Sequence, residues 1–228
     1  MLLTDEALEA LRGKLIVSAQ AYPGEPMRDP RTMAQVAASA VIGGASAVRV
    51  QGLADIQSAR SAVEVPVIGL FKDGHDGVFI TPTIRHALAV AQSGAHVVAL
   101  DGTRRPRPDG ETLAATIAAV RGGSSARVMA DCGSLADALA AAEAGADLIG
   151  TTLAGYTGER PKTDGPDLEL IAELAAADLG RPIIAEGRIH SPAQARAALD
   201  AGAFAVVVGT AITHPATLTG WFVDALEG

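Results

Sequence analysis

Seven short apolar runs in this chain each end on a polar residue: Gln20, Arg49, Lys72, Asp101, Asp131, Thr151 and Glu186. With Arg188 just beyond the last of them, the set holds one lysine, two arginines and three carboxylates. Such a set suits proton transfer on a polar substrate. A lysine and a carboxylate can serve as acid and base, while a guanidinium stabilises an oxyanion as it develops. Arg49 stands between Val48 and Val50, and Lys72 follows Ile68 and Leu70 at a period of two, so both point inward if these runs are strands. A charge buried there without a partner is costly, so each is expected to be paired or functional. Structural ion pairs are the plain alternative for any single residue. Seven polar ends converging on one rim argue for a site.

Two further pieces suggest an anion. Gly187-Arg188 follows the seventh run, and Gly209-Thr210 closes the eighth ahead of Ala211-Ile212-Thr213. Backbone N–H groups in such loops, at the start of a short helix, form a phosphate cradle; tight turns alone would also use these glycines. His75, His86, His96, His190 and His214 fall in loops, in helices or at strand starts, and none stands at a strand end beside an Asp. No imidazole is therefore expected at the rim, and no metal or other cofactor is expected either. Asp131 and Glu186 could hold magnesium only loosely, through water. The positive charges of Arg49, Lys72 and Arg188 at the same mouth would repel it. Cys132, just past the fifth run, reads as a small buried filler rather than a nucleophile.

The elements that would position these groups are eight candidate strands at 14–20, 47–49, 67–72, 97–101, 127–131, 148–151, 183–186 and 205–209. Most are apolar on both alternations, as in a parallel sheet covered on both sides. Ala-rich stretches of helical period separate them; Leu135, Ala138, Leu139 and Ala142 fall on one face. Four times a helix closes on Gly-Ala shortly before a strand, at Gly44, Gly94, Gly145 and Gly202, where glycine can take the left-handed conformation that ends a helix. Two other strands are entered through Pro66 and Pro182. No linker divides the chain. This pattern predicts an α/β fold, a single-domain (β/α)8 TIM barrel over residues 1–228, with a short N-terminal helix at about 4–12. An open doubly wound sheet is the alternative, but SAQAYPGEP follows the first strand where a G-x-G-x-x-G would be expected.

Composition agrees. Of 228 residues, 49% are hydrophobic, 19% charged and only 3% aromatic, which excludes a disordered chain and leaves a core of Ala, Val, Ile and Leu. The formal charge of −8 argues against nucleic acid or an anionic membrane surface as partner and leaves a small molecule. A single cysteine excludes an internal disulfide and fits a reducing, cytoplasmic setting. Acids in MLLTDEALEALRGK do not suit a signal peptide. The uncharged run from Thr32 to Val48 is interrupted by polar residues and glycines, so it reads as helix, turn and strand rather than a membrane span. The sequence leaves a homodimer open.

Read with their flanks, the strand ends resemble the N-acetylmannosamine-6-phosphate 2-epimerase family. The matching stretches are LIVSAQAYPGEP (15–26), VIGLFKD (67–73), ITPT (80–83), LDGTRRPRPDGET (100–112), MADC (129–132), IGTTLAGYT (149–157), AEGRI (185–189) and VVVGTAITHP (206–215), and they run from end to end. The double-proline run and AEGRI are the specific ones. The resemblance implies a metal-free barrel that inverts C2 of a 2-acetamido sugar 6-phosphate in amino-sugar and sialic acid breakdown. It implies that Lys72 and Glu186 carry the proton and that Gln20, Arg49, Asp131 and Arg188 surround the sugar; the loop glycines Gly187 and Gly209, with Thr210, are then the expected phosphate cradle. The chain departs from the family at Ala19, where Cys is frequent, at Gly102, where Ala is, and at His214, where Arg is. Its third loop, DGHDG, is Gly-rich, and Gly102 is expected to loosen the fourth.

The expected chemistry is removal of the proton α to the C1 aldehyde of the opened sugar, giving an enediolate that is reprotonated on the other face. A free lysine, with a pKa of ~10.4, is protonated at neutral pH, and a nearby carboxylate favours that form while burial opposes it. If Lys72 and Glu186 are close they share a proton, and the sequence does not say which is base. Two rivals remain at this stage: a Schiff-base aldolase using Lys72, which borohydride with substrate would inactivate, and a non-catalytic sugar-phosphate sensor.

Overall fold

The computed structural model describes residues 3–227. Eight parallel strands close into a barrel in sequence order, with the last pairing to the first. They are β1 (Leu15–Ala19), β2 (Ala47–Gln51), β3 (Val67–Leu70), β4 (Val97–Asp101), β5 (Arg127–Asp131), β6 (Leu148–Gly150), β7 (Ile183–Glu186) and β8 (Ala205–Val208). The helices are α1 (Asp5–Glu9), α2 (Pro30–Ile42), α3 (Leu53–Ala62), α4 (Ile84–Gln92), α5 (Leu113–Gly123), α6 (Leu135–Glu143), α7 (Leu168–Ala176), α8 (Pro192–Asp200), the short α9 (Thr210–Thr213) and α10 (Pro215–Glu227). The barrel expectation therefore holds, and the N-terminal helix lies inside its expected span. So does the helix, turn and strand reading of residues 32–48.

The local signals act as elementary chemistry dictates. Asp29, Thr83, Thr112, Ser134, Asp167 and Ser191 each cap a helix by accepting a first-turn amide hydrogen. The glycines of the four Gly-Ala stops all have positive φ, at 101°, 95°, 98° and 107° for Gly44, Gly94, Gly145 and Gly202. Pro66 and Pro182 have no N–H to give, but their carbonyls accept from Val48 and Ile149 in the neighbouring strands.

Alternation along the strands sorts the core into two shells. Ile16, Ala47, Ile68, Val97, Met129, Leu148, Ile184 and Ala205 fill the barrel, while Val48, Val50, Val98, Val128 and Ile149 pack outward against the helices. The same alternation carries the inward rows on to Ser18, Arg49, Asp131 and Glu186 at the C-terminal mouth. Gly102, where a looser loop is expected from sequence, is closely packed. A β-carbon there would stand 2.7 Å from that of Ala130, and the Gly102 amide donates to the Asp131 carbonyl at 2.8 Å.

Candidate active site

A cavity of about 440 Å³ opens at the C-terminal mouth. This is the end of the barrel where loops can vary without disturbing the packed interior. Gln20, Arg49, Lys72, Glu186, Gly187, Arg188, Gly209 and Thr210 all line it. Of the residues expected around a substrate, Asp131 alone does not. It is fully buried beneath Arg49, whose Nη1 and Nη2 donate to its two carboxylate oxygens at 3.1 and 2.6 Å. Asp131 therefore supports Arg49 from beneath the cavity and does not line it. Asp101 and Thr151 are also withdrawn. Asp101 pairs with Arg105, and the Thr151 hydroxyl receives the Glu186 amide and donates to the Glu186 carbonyl, which fixes that segment of backbone.

Arg49 is the hub. Its guanidinium also lies 3.2 Å from Glu186 Oε2. Burial by itself favours the neutral form, but Asp131 and then Glu186 outweigh it and hold Arg49 charged, above the ordinary guanidinium value. Glu186 moves the other way. Burial pushes its carboxyl above the ordinary carboxylate range, and the Arg49 charge offsets this only in part.

Lys72 stands across the mouth. The third strand stops at Leu70 rather than at residue 72, because the chain there leaves the barrel wall and folds back on itself. Lys72 bridges to Ile80, Asp73 donates to the Phe79 carbonyl, and Thr81 donates to the Phe71 carbonyl. Thr81 holds this hairpin at φ 46°, an unfavourable value for a β-branched residue. Its hydroxyl offsets the strain, accepting from the Phe71 amide at 3.1 Å and donating to the Ala99 carbonyl at 2.6 Å. Burial first, and then the charge of Arg49, bring the Lys72 ammonium down to about 8. Its Nζ stands 5.1 Å from the centre of the Tyr22 ring, and among the described residues it forms no ion pair. The close, proton-sharing Lys72–Glu186 pair considered from sequence is thus not formed; each group faces the cavity from its own side.

Arg188 lines the cavity as expected and is held there by its neighbours. Its side chain spends donors on Gly165, Ala154 and Thr163, and its guanidinium lies over Tyr156. It braces the long loop after β6 while lining the cavity.

Several lining residues lie in loops and had no sequence signal beyond them, Tyr22, Arg105, Thr152 and Tyr156, while Ser18 lines the cavity from the inward row of β1. The rim also carries the histidines that sequence reasoning left off it, since His75, His190 and His214 all line the cavity. They are dispersed. His75 is 3.2 Å from Asp76, His190 packs on Trp221, and His214 lies against Tyr22 and 3.6 Å from Glu25. Among the described residues no three His, Cys, Asp or Glu side chains come together to hold a metal ion. His96 belongs to the core. It accepts the Val67 amide hydrogen, and burial takes its pKa down to about 4, so it stays neutral.

Comparison with known proteins points one way. Residues 33–228 match the family model described as "Putative N-acetylmannosamine-6-phosphate epimerase". A protein of Cutibacterium acnes described as "Putative N-acetylmannosamine-6-phosphate 2-epimerase" is 62% identical over 225 residues, spanning 98% of each chain. A Corynebacterium glutamicum protein with the same description is 48% identical over 220 residues, 95% of this chain and 94% of that one. The solved N-acetylmannosamine-6-phosphate 2-epimerase of Clostridium perfringens superposes with a TM-score of 0.91 at 36% identity, covering 96% of this chain and 95% of the other.

Proposed function

Because this chain belongs to the N-acetylmannosamine-6-phosphate epimerase family, we propose that it inverts C2 of N-acetylmannosamine 6-phosphate to give N-acetylglucosamine 6-phosphate, with Lys72 and Glu186 moving the proton. The observation that carries this reading is their placement. Lys72 follows β3 and Glu186 ends β7, strands on opposite sides of a closed eight-stranded barrel, so a sugar held between them presents one face of C2 to each.

The perturbed groups match their tasks. With its ammonium brought down to about 8, Lys72 has a neutral fraction able to take the C2 proton near neutral pH. The C2–H electron pair moves into the C1–C2 bond and the aldehyde oxygen becomes an oxyanion. Since C2 carries nitrogen, the intermediate is an acetamido enolate rather than an enediolate. The fixed charge of Arg49 stabilises it. Glu186, whose carboxyl burial pushes above the ordinary range, delivers a proton to the opposite face when it is the acid, and the two groups reset by exchange with water or by the reverse reaction. Gln20 and Arg188 border the sugar. Gly187, Gly209 and Thr210 offer backbone N–H groups to the 6-phosphate, at the start of α9, whose Ile212 and Thr213 amides are already taken by the Gly209 carbonyl.

In deuterium oxide, proton NMR of N-acetylmannosamine 6-phosphate should lose the C2 proton signal as the second epimer appears. Product formed with C2 fully protonated would reject the mechanism. An imine route through Lys72 would instead show as irreversible inactivation by borohydride in the presence of substrate.

The reading includes a cytoplasmic place in amino-sugar and sialic acid catabolism, consistent with the buried free thiol of Cys132. It also includes a homodimer. No residue of α10 is buried, and Phe222 and Leu226 are 72% and 87% exposed beside Trp221 and Val223. An apolar groove of about 380 Å³, lined by Leu15, Ala195, Leu199, Val206, Val208 and Ala211, lies outside β8 and β1, and no residue of α10 lines it. A second copy that lays α10 in this groove would bury both apolar faces, and unburied patches of this kind mark interfaces. The protein should sediment as a dimer, and the double replacement of Phe222 and Leu226 by Asp should give a folded monomer. A wild-type monomer at micromolar concentration would refute this.

A further inference from the structure

The Thr152 hydroxyl, just past β6, lies 2.8 Å from Asp131 Oδ1 and 3.0 Å from Glu186 Oε2. It has one hydrogen and two carboxylate acceptors, so it can donate to only one of them at a time. The second contact is a hydrogen bond only when the proton comes from the carboxyl. Asp131 is engaged twice by Arg49, so Glu186 is the group that can carry that proton. Space for the bridge is built into the chain: a β-carbon at Gly150 would stand 3.0 Å from Asp131 Oδ1 and 3.2 Å from Thr152 Oγ1.

We propose that Thr152 is a positioning residue that serves both protonation states of Glu186. When Glu186 is the acid, its O–H donates to Thr152 Oγ1 and the Thr152 hydrogen points to Asp131. When Glu186 has given its proton to C2, the Thr152 hydrogen turns to the new carboxylate, and Asp131 keeps its two bonds from Arg49. The proton that Glu186 loses is the one that C2 gains, the carboxyl O–H turning from Thr152 to C2 to deliver it, and no buried acceptor loses its last donor. Rotation of one hydroxyl thus accompanies the proton transfer. The inference rests on Glu186 being a proton-transfer group, as set out above.

The charged and titratable groups acting on Glu186 come from every side of the mouth: Arg49 on β2, Lys72 after β3, Asp131 on β5 and Tyr22 after β1. Thr152 bonds both forms of Glu186, but its charge-assisted bond to the carboxylate is the stronger, so on balance it lowers the Glu186 pKa against the effect of burial. The pH dependence of kcat/KM should be a bell, with a lower limb from Glu186 and an upper limb near 8 from Lys72. Thr152→Val should reduce kcat about tenfold or more and change KM far less, since the lost interaction follows the proton. It should also move the lower limb upward by about one pH unit and leave the upper limb in place. Thr152→Ser, which keeps the hydroxyl, should restore both. If Thr152→Val does not fold, Thr152→Ala is read in the same way. An unmoved lower limb with kcat within twofold of wild type, in a folded variant, overturns the proposal. Failure of the wild-type enzyme to exchange deuterium at C2 would instead overturn the underlying assignment of Glu186.

Discussion

Replacing Lys72 by Met should lower turnover by roughly the 10²–10⁴ that a lost general base costs, while the barrel stays folded. The side chain is mostly enclosed by the Tyr22 ring and the 71–80 hairpin, and Met fills nearly the same length. Removing the ammonium relieves desolvation that already brings its pKa down to about 8, so folding stability should hold or rise slightly. Substrate affinity should change much less than turnover, because a proton-transfer group acts mainly in the transition state. The upper limb of the pH profile should disappear with the amine. Rate, melting temperature and pH profile of the purified variant check this together. A folded Lys72→Met enzyme retaining more than a tenth of wild-type turnover would show that the base is another group.

Replacing Arg49 by Met should have its largest effect on stability. Arg49 is 1% exposed and is the cation between Asp131, at 0%, and Glu186. Taking away one partner of a buried pair leaves a carboxylate without compensation and costs about 3–5 kcal/mol. Single domains have roughly 5–15 kcal/mol to lose, so the variant should be marginal at room temperature. Adding Asp131→Asn removes the stranded charge and should recover most of the loss in urea denaturation, although activity should not return, since the enolate would still lack its cation. A single variant within about 1 kcal/mol of wild type would mean that the pair contributes little to folding.

These two residues divide what could be read along the chain from what could not. The period of two placed Arg49 inside, because alternation is a covalent property of a strand, whereas Lys72 reaches the mouth from the hairpin past the end of β3. The Gly-Ala stops and the capping Ser, Thr and Asp residues fixed the helix ends for the same local reason, and with eight strands of parallel character they defined the barrel. Alternation does not give depth. Asp131 and Glu186 look equivalent at their strand ends, yet Asp131 is sealed under a guanidinium and Glu186 faces the cavity, because Arg49 reaches across the barrel from β2.

Loop contributions were illegible for a related reason. His75, His190 and His214 reach the rim, and Arg188 turns to brace the loop after β6, through the course of backbone between elements rather than through any repeat. Thr152 gave no sign of its position between two carboxylates, since that depends on three strands meeting at one point and on the space left by Gly150. That no residue of α10 is buried against the chain's own barrel was likewise known only from the fold. The sequence by itself determined the strands, their inward residues and the family. The tertiary structure decided which charges meet and which are held apart, because pairing depends on distances across a closed barrel that local sequence does not encode.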